Sequence, residues 1–127
     1  AAQTPGRMNI FEFKQFKVMI DFAHNPAGYL AVEDFLSNTE ASQKIGIIAG
    51  VGDRRDEDIR DCATIAARMF DHIIIRNEKH LRGRTEENIT GLLLEGFAAS
   101  GKTVTHEVIP KEVDAIKSDV LCCVGFK

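Results

Sequence analysis

Apolar positions in this chain come in short compact blocks separated by polar turns, and the blocks alternate between strand-like runs and helical spacing. Ile10 to Phe13 and Phe16 to Phe22 read as two strands joined by a tight reversal at Lys14-Gln15, able to pair antiparallel at one end of a sheet. Asn25 can cap a helix and Pro26 can take its first position, which predicts a helix with Ala27, Leu30, Ala31 and Phe35 on one face, ending at Ser37-Asn38-Thr39. Lys44 to Ala49 is a compact strand, followed by Gly50-Val51-Gly52. From Asp56, the positions Ile59, Cys62, Ala63, Ala66, Met69 and Phe70 recur at helical spacing. Ile73-Ile74-Ile75 makes the next buried strand, Arg76 to Arg84 a polar loop, and Thr85 caps a helix with the stripe Ile89, Leu92, Leu93 and Phe97. Val104, His106 and Val108 alternate as a half-exposed strand, Pro110 opens a short helix through Ile116, and Asp119 to Val124 supplies a last strand.

Strands that alternate with helices imply a mostly parallel sheet covered on both faces. The predicted fold is therefore α/β, a Rossmann-like three-layer domain with an antiparallel edge hairpin at the N-terminus. A length of 127 residues fits one domain, within the usual range of roughly 100 to 150. Residues 1–8, with Thr4-Pro5-Gly6, read as an interdomain linker remnant, and residues 9–127 as the domain, so the chain is expected to belong to something larger.

Charge and cysteine content narrow the function classes. The formal net charge is only -3 and no Lys/Arg block or basic stripe occurs, which argues against a nucleic-acid partner. Val120 to Val124 is far shorter than the roughly 18 apolar residues of a spanning helix, so no membrane partner is expected. Cys62, Cys122 and Cys123 form neither a CxxC nor a Cys/His pattern; they read as core hydrophobes in a reducing, cytoplasmic setting, with no metal site. Assembly as a homo-oligomer is left open.

Gly96-Phe97-Ala98-Ala99-Ser100-Gly101-Lys102-Thr103 matches the P-loop pattern GxxxxGK[ST], yet its context is inverted. A phosphate loop needs a strand entering and a helix leaving, so that backbone N–H groups and the helix dipole face the anion. Here a helix enters and a strand leaves. Gly101 sits where a helix C′ glycine belongs. A better site lies at Asp21, His24 and Asn25, where an apolar run ends in three polar side chains and a helix begins. Open α/β sheets bind ligands in the crevice beyond the carboxyl ends of their strands. A carboxylate there can accept hydrogen bonds from a ribose, while imidazole and amide touch base or phosphates.

Asp21-Phe22-Ala23-His24-Asn25-Pro26-Ala27-Gly28 resembles the D-[YF]-A-H-N-P-x-[GA] opening of the carboxy-terminal domain of the Mur ligase family, the ATP-dependent amide-bond formers. Pro5-Gly6-Arg7 resembles the family's interdomain hinge, and Gly50-Val51-Gly52-Asp53-Arg54-Arg55-Asp56 its G-x-G-D-R turn. The run from Gly52 to Ile59 and Leu81-Arg82-Gly83-Arg84 are most similar to the cyanophycin synthetase branch, although His80 stands where that branch has an acid. The D-N-P-R of muramyl-peptide ligases that add the third amino acid is absent. The resemblance implies ATP contacts from Arg7, Asp21, His24 and Asn25, with Asp53, Arg54, Arg82 and Arg84 near the incoming amino acid. A guanidinium suits the first task because its fork gives several donors to phosphate oxygens.

What the resemblance implies is an ATP-dependent carboxylate–amine ligase that adds arginine to aspartate side-chain carboxyls through an acyl phosphate. ATP and Mg²⁺ are then the cofactors, the metal being held mainly by a central P-loop domain of the same polypeptide, and this fragment is not expected to catalyse ligation alone. Two alternatives stand beside it. One is a muramyl-peptide or folylpolyglutamate-type ligase domain; the other is a non-catalytic flavodoxin- or receiver-like binding module in which Asp53 accepts phosphate.

Overall fold

A computed structural model describes residues 9–14, 16–49, 55–76, 83–109 and 122–126, the last segment as backbone. The elements are β1 (Asn9–Glu12), β2 (Lys17–Asp21), α1 (Pro26–Ser37), β3 (Lys44–Ile48), α2 (Asp56–Met69), β4 (His72–Arg76), α3 (Glu86–Ala99), β5 (Thr105–Ile109) and β6 (Cys122–Phe126). They build a six-stranded sheet in the order β1-β2-β6-β3-β4-β5. β1 and β2 form the expected antiparallel edge hairpin, closed by a Phe13 N–H to Phe16 carbonyl bond of 2.9 Å. β3, β4 and β5 are parallel, whereas β6 lies antiparallel between β2 and β3. β2 therefore runs in the same direction as β3, β4 and β5. The α/β, Rossmann-like architecture is the one the alternation of blocks implies. The helix read from Pro110 to Ile116 lies outside the described residues.

One core joins the three helices to one sheet face. Strand alternation puts Met19, Ile48, Ile73 and Ile75 on that face, where they meet Tyr29, Val32 and Leu36 of α1, Ile59, Ala63 and Ala66 of α2, and Leu92, Leu93 and Phe97 of α3. Gly46 also faces this core, because a Cβ there would stand 2.3 Å from the ring of fully buried Phe70. Val18, Ile20, Ile45, Ile47 and Ile74 lie on the opposite face and stay partly exposed.

The stripes of α2 and α3 match the sequence reading, but that of α1 does not. Tyr29, Val32 and Leu36 are its buried positions, while Ala27 and Ala31 are exposed and Leu30 is 48% exposed. The buried face is turned by roughly 150°, close to the opposite side of the helix at about 100° per residue, because Tyr29 with its large apolar body outweighs two alanines. Phe35 is partly buried at the margin of the core.

The P-loop-like segment is a helix end. Gly96 and Phe97 are buried in α3, and Gly101 has φ +73 just past the helix, the left-handed geometry of a C′ glycine. Lys102 donates from Nζ to the carbonyls of Phe70 (2.9 Å) and Arg68 (3.3 Å), closing the C-terminus of α2. His72 hydrogen-bonds Thr105 Oγ1 at 2.6 Å and Glu107 Oε1 at 3.1 Å, fastening edge strand β5 to β4.

Candidate functional site: the carboxyl edge of the sheet

Shared strand direction brings the chain's polar turns to one edge. Asp21 is paired with Cys122, Cys122 with Ile48, and Ile48 with Ile75, so the last residues of β2 and β3 and the next-to-last residue of β4 form one row across the sheet. Lys44, at the opposite end of β3, bonds the Leu36 carbonyl near the C-terminus of α1 and accepts from Asp71 just past α2, while Arg84 joins the first turns of α2 and α3. The three N-termini therefore face the same edge, and a helix N-terminus presents unpaired N–H groups and the positive end of a dipole.

The three N-termini differ in charge. α2 carries Asp56, Glu57 and Asp58 in its first turn and α3 carries Glu86 and Glu87, whereas α1 has no acid there. Carboxylates in a first turn offset the dipole. α1 alone is left without such compensation, and its cap adjoins the Asp21-His24 turn.

Local hydrogen bonds decide what each residue of that turn can offer. Asn25 Oδ1 accepts the Gly28 N–H at 2.8 Å and so caps α1. With its oxygen committed, Asn25 has the two N–H donors of Nδ2 for a ligand. His24 Nδ1 lies 3.0 Å from the Phe22 carbonyl. A carbonyl only accepts, so Nδ1 carries the proton and neutral His24 offers Nε2 as an acceptor, suited to a hydroxyl or an amino group rather than a phosphate. Both side chains are half-buried at the rim.

Asp21 is more enclosed than the sequence reading anticipated. Its relative exposure is 3% and it has a partner within the fold, so a direct bond to a ribose would require this carboxylate to be uncovered. Arg84, expected near the incoming amino acid, bonds Asp56 Oδ1 at 2.6 Å and Asn88 Oδ1 at 2.8 Å. It thereby ties the first turns of α2 and α3 together. Arg7, Asp53, Arg54 and Arg82 lie outside the described residues; β3, which leads into the 50–54 segment, ends at this edge.

Arg76 is the residue that sequence reading placed wrongly, at the start of a polar loop. It is instead the last residue of β4 and only 4% exposed. A charge directly after three isoleucines repeats the pattern of Asp21 after Val18-Met19-Ile20, and that repetition was the available signal. Among the described residues, no three His, Cys, Asp or Glu side chains come together as a metal site. Among those residues, too, no helix is long and apolar enough to cross a membrane.

Comparison with known proteins agrees with this geometry. The profile of the family described as "Mur ligase, glutamate ligase domain" matches residues 6–124. The chain belongs to that family. It is 46% identical over 118 residues to a cyanophycin synthetase of Geminocystis herdmanii and 41% identical over 117 residues to one of Crocosphaera subtropica. Each alignment covers over nine-tenths of this chain, 93% and 92%, but only 13% of the relative. A UDP-N-acetylmuramoyl-L-alanyl-D-glutamate--2,6-diaminopimelate ligase of Corynebacterium efficiens is 32% identical over 86% of this chain and 21% of its own length. This chain thus spans about an eighth of the cyanophycin synthetases it matches.

Proposed function

We propose that this chain is the nucleotide- and amino-acid-contacting domain of an ATP-dependent ligase of the cyanophycin synthetase kind, which adds arginine to aspartate side-chain carboxyls. The observation that carries the reading is the single edge on which β2, β3 and β4 end and α1, α2 and α3 begin. The higher identity to cyanophycin synthetases, at 46% against 32% for the diaminopimelate ligase, favours arginine over diaminopimelate. The acids of the α2 and α3 first turns suit a cationic amino acid.

In the proposed reaction an acceptor carboxylate oxygen attacks the γ-phosphorus of ATP and ADP leaves. The amine of arginine then attacks the carbonyl carbon of the acyl phosphate, phosphate departs, and the nitrogen loses a proton as the amide forms. Such chemistry depends on positioning and charge neutralisation around the phosphoryl group. Arg7, Asp21, His24 and Asn25 would contact ATP, Asp21 once its carboxylate is uncovered; Asp53, Arg54, Arg82 and Arg84 would contact the amino acid. Mg²⁺ would neutralise phosphate charge from ligands mainly outside this domain.

The test is ATP turnover by the intact polypeptide with a primer of aspartate carboxylates and single amino acids. L-Arginine should stimulate ADP release and be incorporated. Stimulation by diaminopimelate or glutamate instead would move the domain to another branch, and stimulation by no amino acid would overturn the ligase reading.

A further inference from the structure

Among the described residues the large apolar side chains left exposed are Phe11, Phe13, Phe16, Leu30, Leu94 and Val108, and the first three fall on one hairpin. Their exposures are 50%, 55% and 42%. Leu30, Leu94 and Val108 lie singly on α1, α3 and β5, as scattered surface apolar residues commonly do. The hairpin trio is contiguous. Phe11 is paired with Val18, so it points to the sheet face away from Ile10, Met19 and the helices. The ladder continues to the bond from the Phe13 N–H to the Phe16 carbonyl, and those two rings stack at 4.8 Å between centroids and 16° between planes. Val18 and Ile20, both partly exposed, extend the strip along β2.

The two edges of the sheet are finished differently. β5 presents Thr105, His106 and Glu107, with Glu107 bonded to His72. Polar and charged side chains of that kind keep an edge from pairing. β1 presents Phe11 beside Glu12, whose charge is met by Lys17 at 3.5 Å, and Lys14 is exposed at the turn. Three phenylalanines at half exposure offer roughly 300 Å² of aromatic surface, taking about 200 Å² for a whole side chain. A stable complex between separate molecules buries about 800 Å² per partner. The patch is therefore too small to hold a free partner, but sufficient for a neighbour on the same chain, because a tether raises the effective concentration to the millimolar range. The match takes 13% of the length of the cyanophycin synthetases, so most of each relative lies outside it.

We propose that the Phe11-Phe13-Phe16 face of the β1–β2 hairpin is the surface on which another domain of the same polypeptide docks, the facing surface being apolar at its centre with an acid opposite Lys14. This inference rests on membership of the family and not on the ligase reading. Glu12 pairs with Lys17 and Asn9 with Ile20, so the hairpin tip lies at the end of the sheet opposite Asp21, and the docked domain is held there without entering the cleft.

The test is hydroxyl-radical footprinting of the intact polypeptide, read residue by residue by mass spectrometry against the unfolded chain. Docking should slow oxidation of Phe11, Phe13 and Phe16 about tenfold, as burial at the centre of an interface does, where half-exposure alone gives about twofold. That protection should persist when the protein is diluted about a hundredfold, since a tethered contact does not depend on concentration. Phe13→Ser combined with Phe16→Ser should return Phe11 to the twofold level, while Met19, fully buried on the other face, stays protected and reports an intact sheet. Only twofold protection of the three rings in the wild type overturns the proposal. So does protection that fades on dilution, which would put a second copy of the chain on this face. Phe11 still protected in the double variant, with Met19 protected too, overturns it as well; a double variant that exposes Met19 has lost its fold, and the wild-type result then decides.

Discussion

Two glycines of α3 should respond to the same substitution with opposite signs. A Cβ on Gly96 would lie 2.4 Å from the Arg60 carbonyl oxygen and 2.5 Å from Ala63 Cβ, against the 3.4–4 Å of ordinary contact. The nearer atom is backbone and cannot swing aside, so α2 and α3 would have to separate by about 1 Å, an overpacking cost of roughly 1–3 kcal/mol. That separation also strains the bond from Thr64 Oγ1 to the Gly96 carbonyl, now 2.8 Å, which contributes about 1 kcal/mol. Replacing a helical glycine by alanine returns about 1 kcal/mol of intrinsic preference. The net for Gly96→Ala is a loss of roughly 2 kcal/mol, or about 6–10 °C in Tm for a domain of this size. Gly91 is exposed on the same helix, and a Cβ there meets nothing within 4 Å. Gly91→Ala should therefore gain up to about 1 kcal/mol and raise Tm by roughly 3–5 °C. Circular dichroism melts of the three chains decide the matter. A Gly96→Ala protein that melts at or above the wild type would refute the close α2–α3 approach, and with it the reading of Gly96 as a packing glycine.

Glu33 receives a double hydrogen bond from Arg68 (2.8 and 2.9 Å), which holds its carboxyl below the ordinary value. A depressed carboxylate pKa adds stability that is present above the ordinary range of about 4.3 and is lost as pH falls through the folded value. Glu33→Gln should thus cost about 0.5–1 kcal/mol at pH 7, the range for a largely exposed pair, with the gap to wild type closing in melts below about pH 4; a gap independent of pH would contradict the ion pair. Asp21→Asn should lower stability by about 1–3 kcal/mol because it weakens a buried, partnered carboxylate, and a variant with unchanged Tm would show the side chain to be exposed. His24→Ala should raise KM for ATP in the intact polypeptide while leaving KM for arginine unchanged, and the reverse pattern would put His24 on the wrong side of the cleft.

Local pattern carried the fold a long way, for a physical reason. α2 lies between the isoleucine-rich strands β3 and β4, and α3 follows β4, so their apolar stripes have one direction in which to face, and Ile59, Cys62, Ala63, Ala66 and Met69, like Ile89, Leu92, Leu93 and Phe97, are buried as their spacing implies. α1 misled because Ala27 and Ala31 produce helical spacing without the volume to define a core face; Tyr29, whose ring is mostly apolar, sits on the true face. The insertion of β6 between β2 and β3 was not visible, since the choice of neighbour depends on contacts distant in sequence. The Asp21-His24-Asn25 turn was found by its abrupt change of polarity, but the burial of Asp21 was not, because a strand's last residue looks the same in sequence whether it faces solvent or lies beneath a turn. Arg76 was missed for the same reason: its charge suggested a loop, while its position continued a strand.

Charge compensation at the cleft edge gives the proposed ligase a way to separate its substrates. An anion approaching α2 or α3 meets Asp56, Glu57, Asp58, Glu86 or Glu87 in the first turn; of the described cations there, Arg84 is engaged by Asp56 and Asn88, and Arg55 at the α2 N-cap by Asp58 and Glu57. Approaching α1, it meets no acid in the first turn and the Nδ2 donors of Asn25, beside the acceptor Nε2 of His24. Surface charges interact over about 8–10 Å at physiological ionic strength, a distance comparable to two strand spacings. The α1 end of the edge is therefore less hostile to phosphate than the α2–α3 end by a margin that one solution can read out. Raising salt should weaken arginine and ATP binding alike if each is drawn by its own end of the edge. Reversing the α3 acids, in Glu86→Lys with Glu87→Lys, should then raise KM for arginine and leave KM for ATP nearly unchanged; equal effects on both would show that the two substrates share one field.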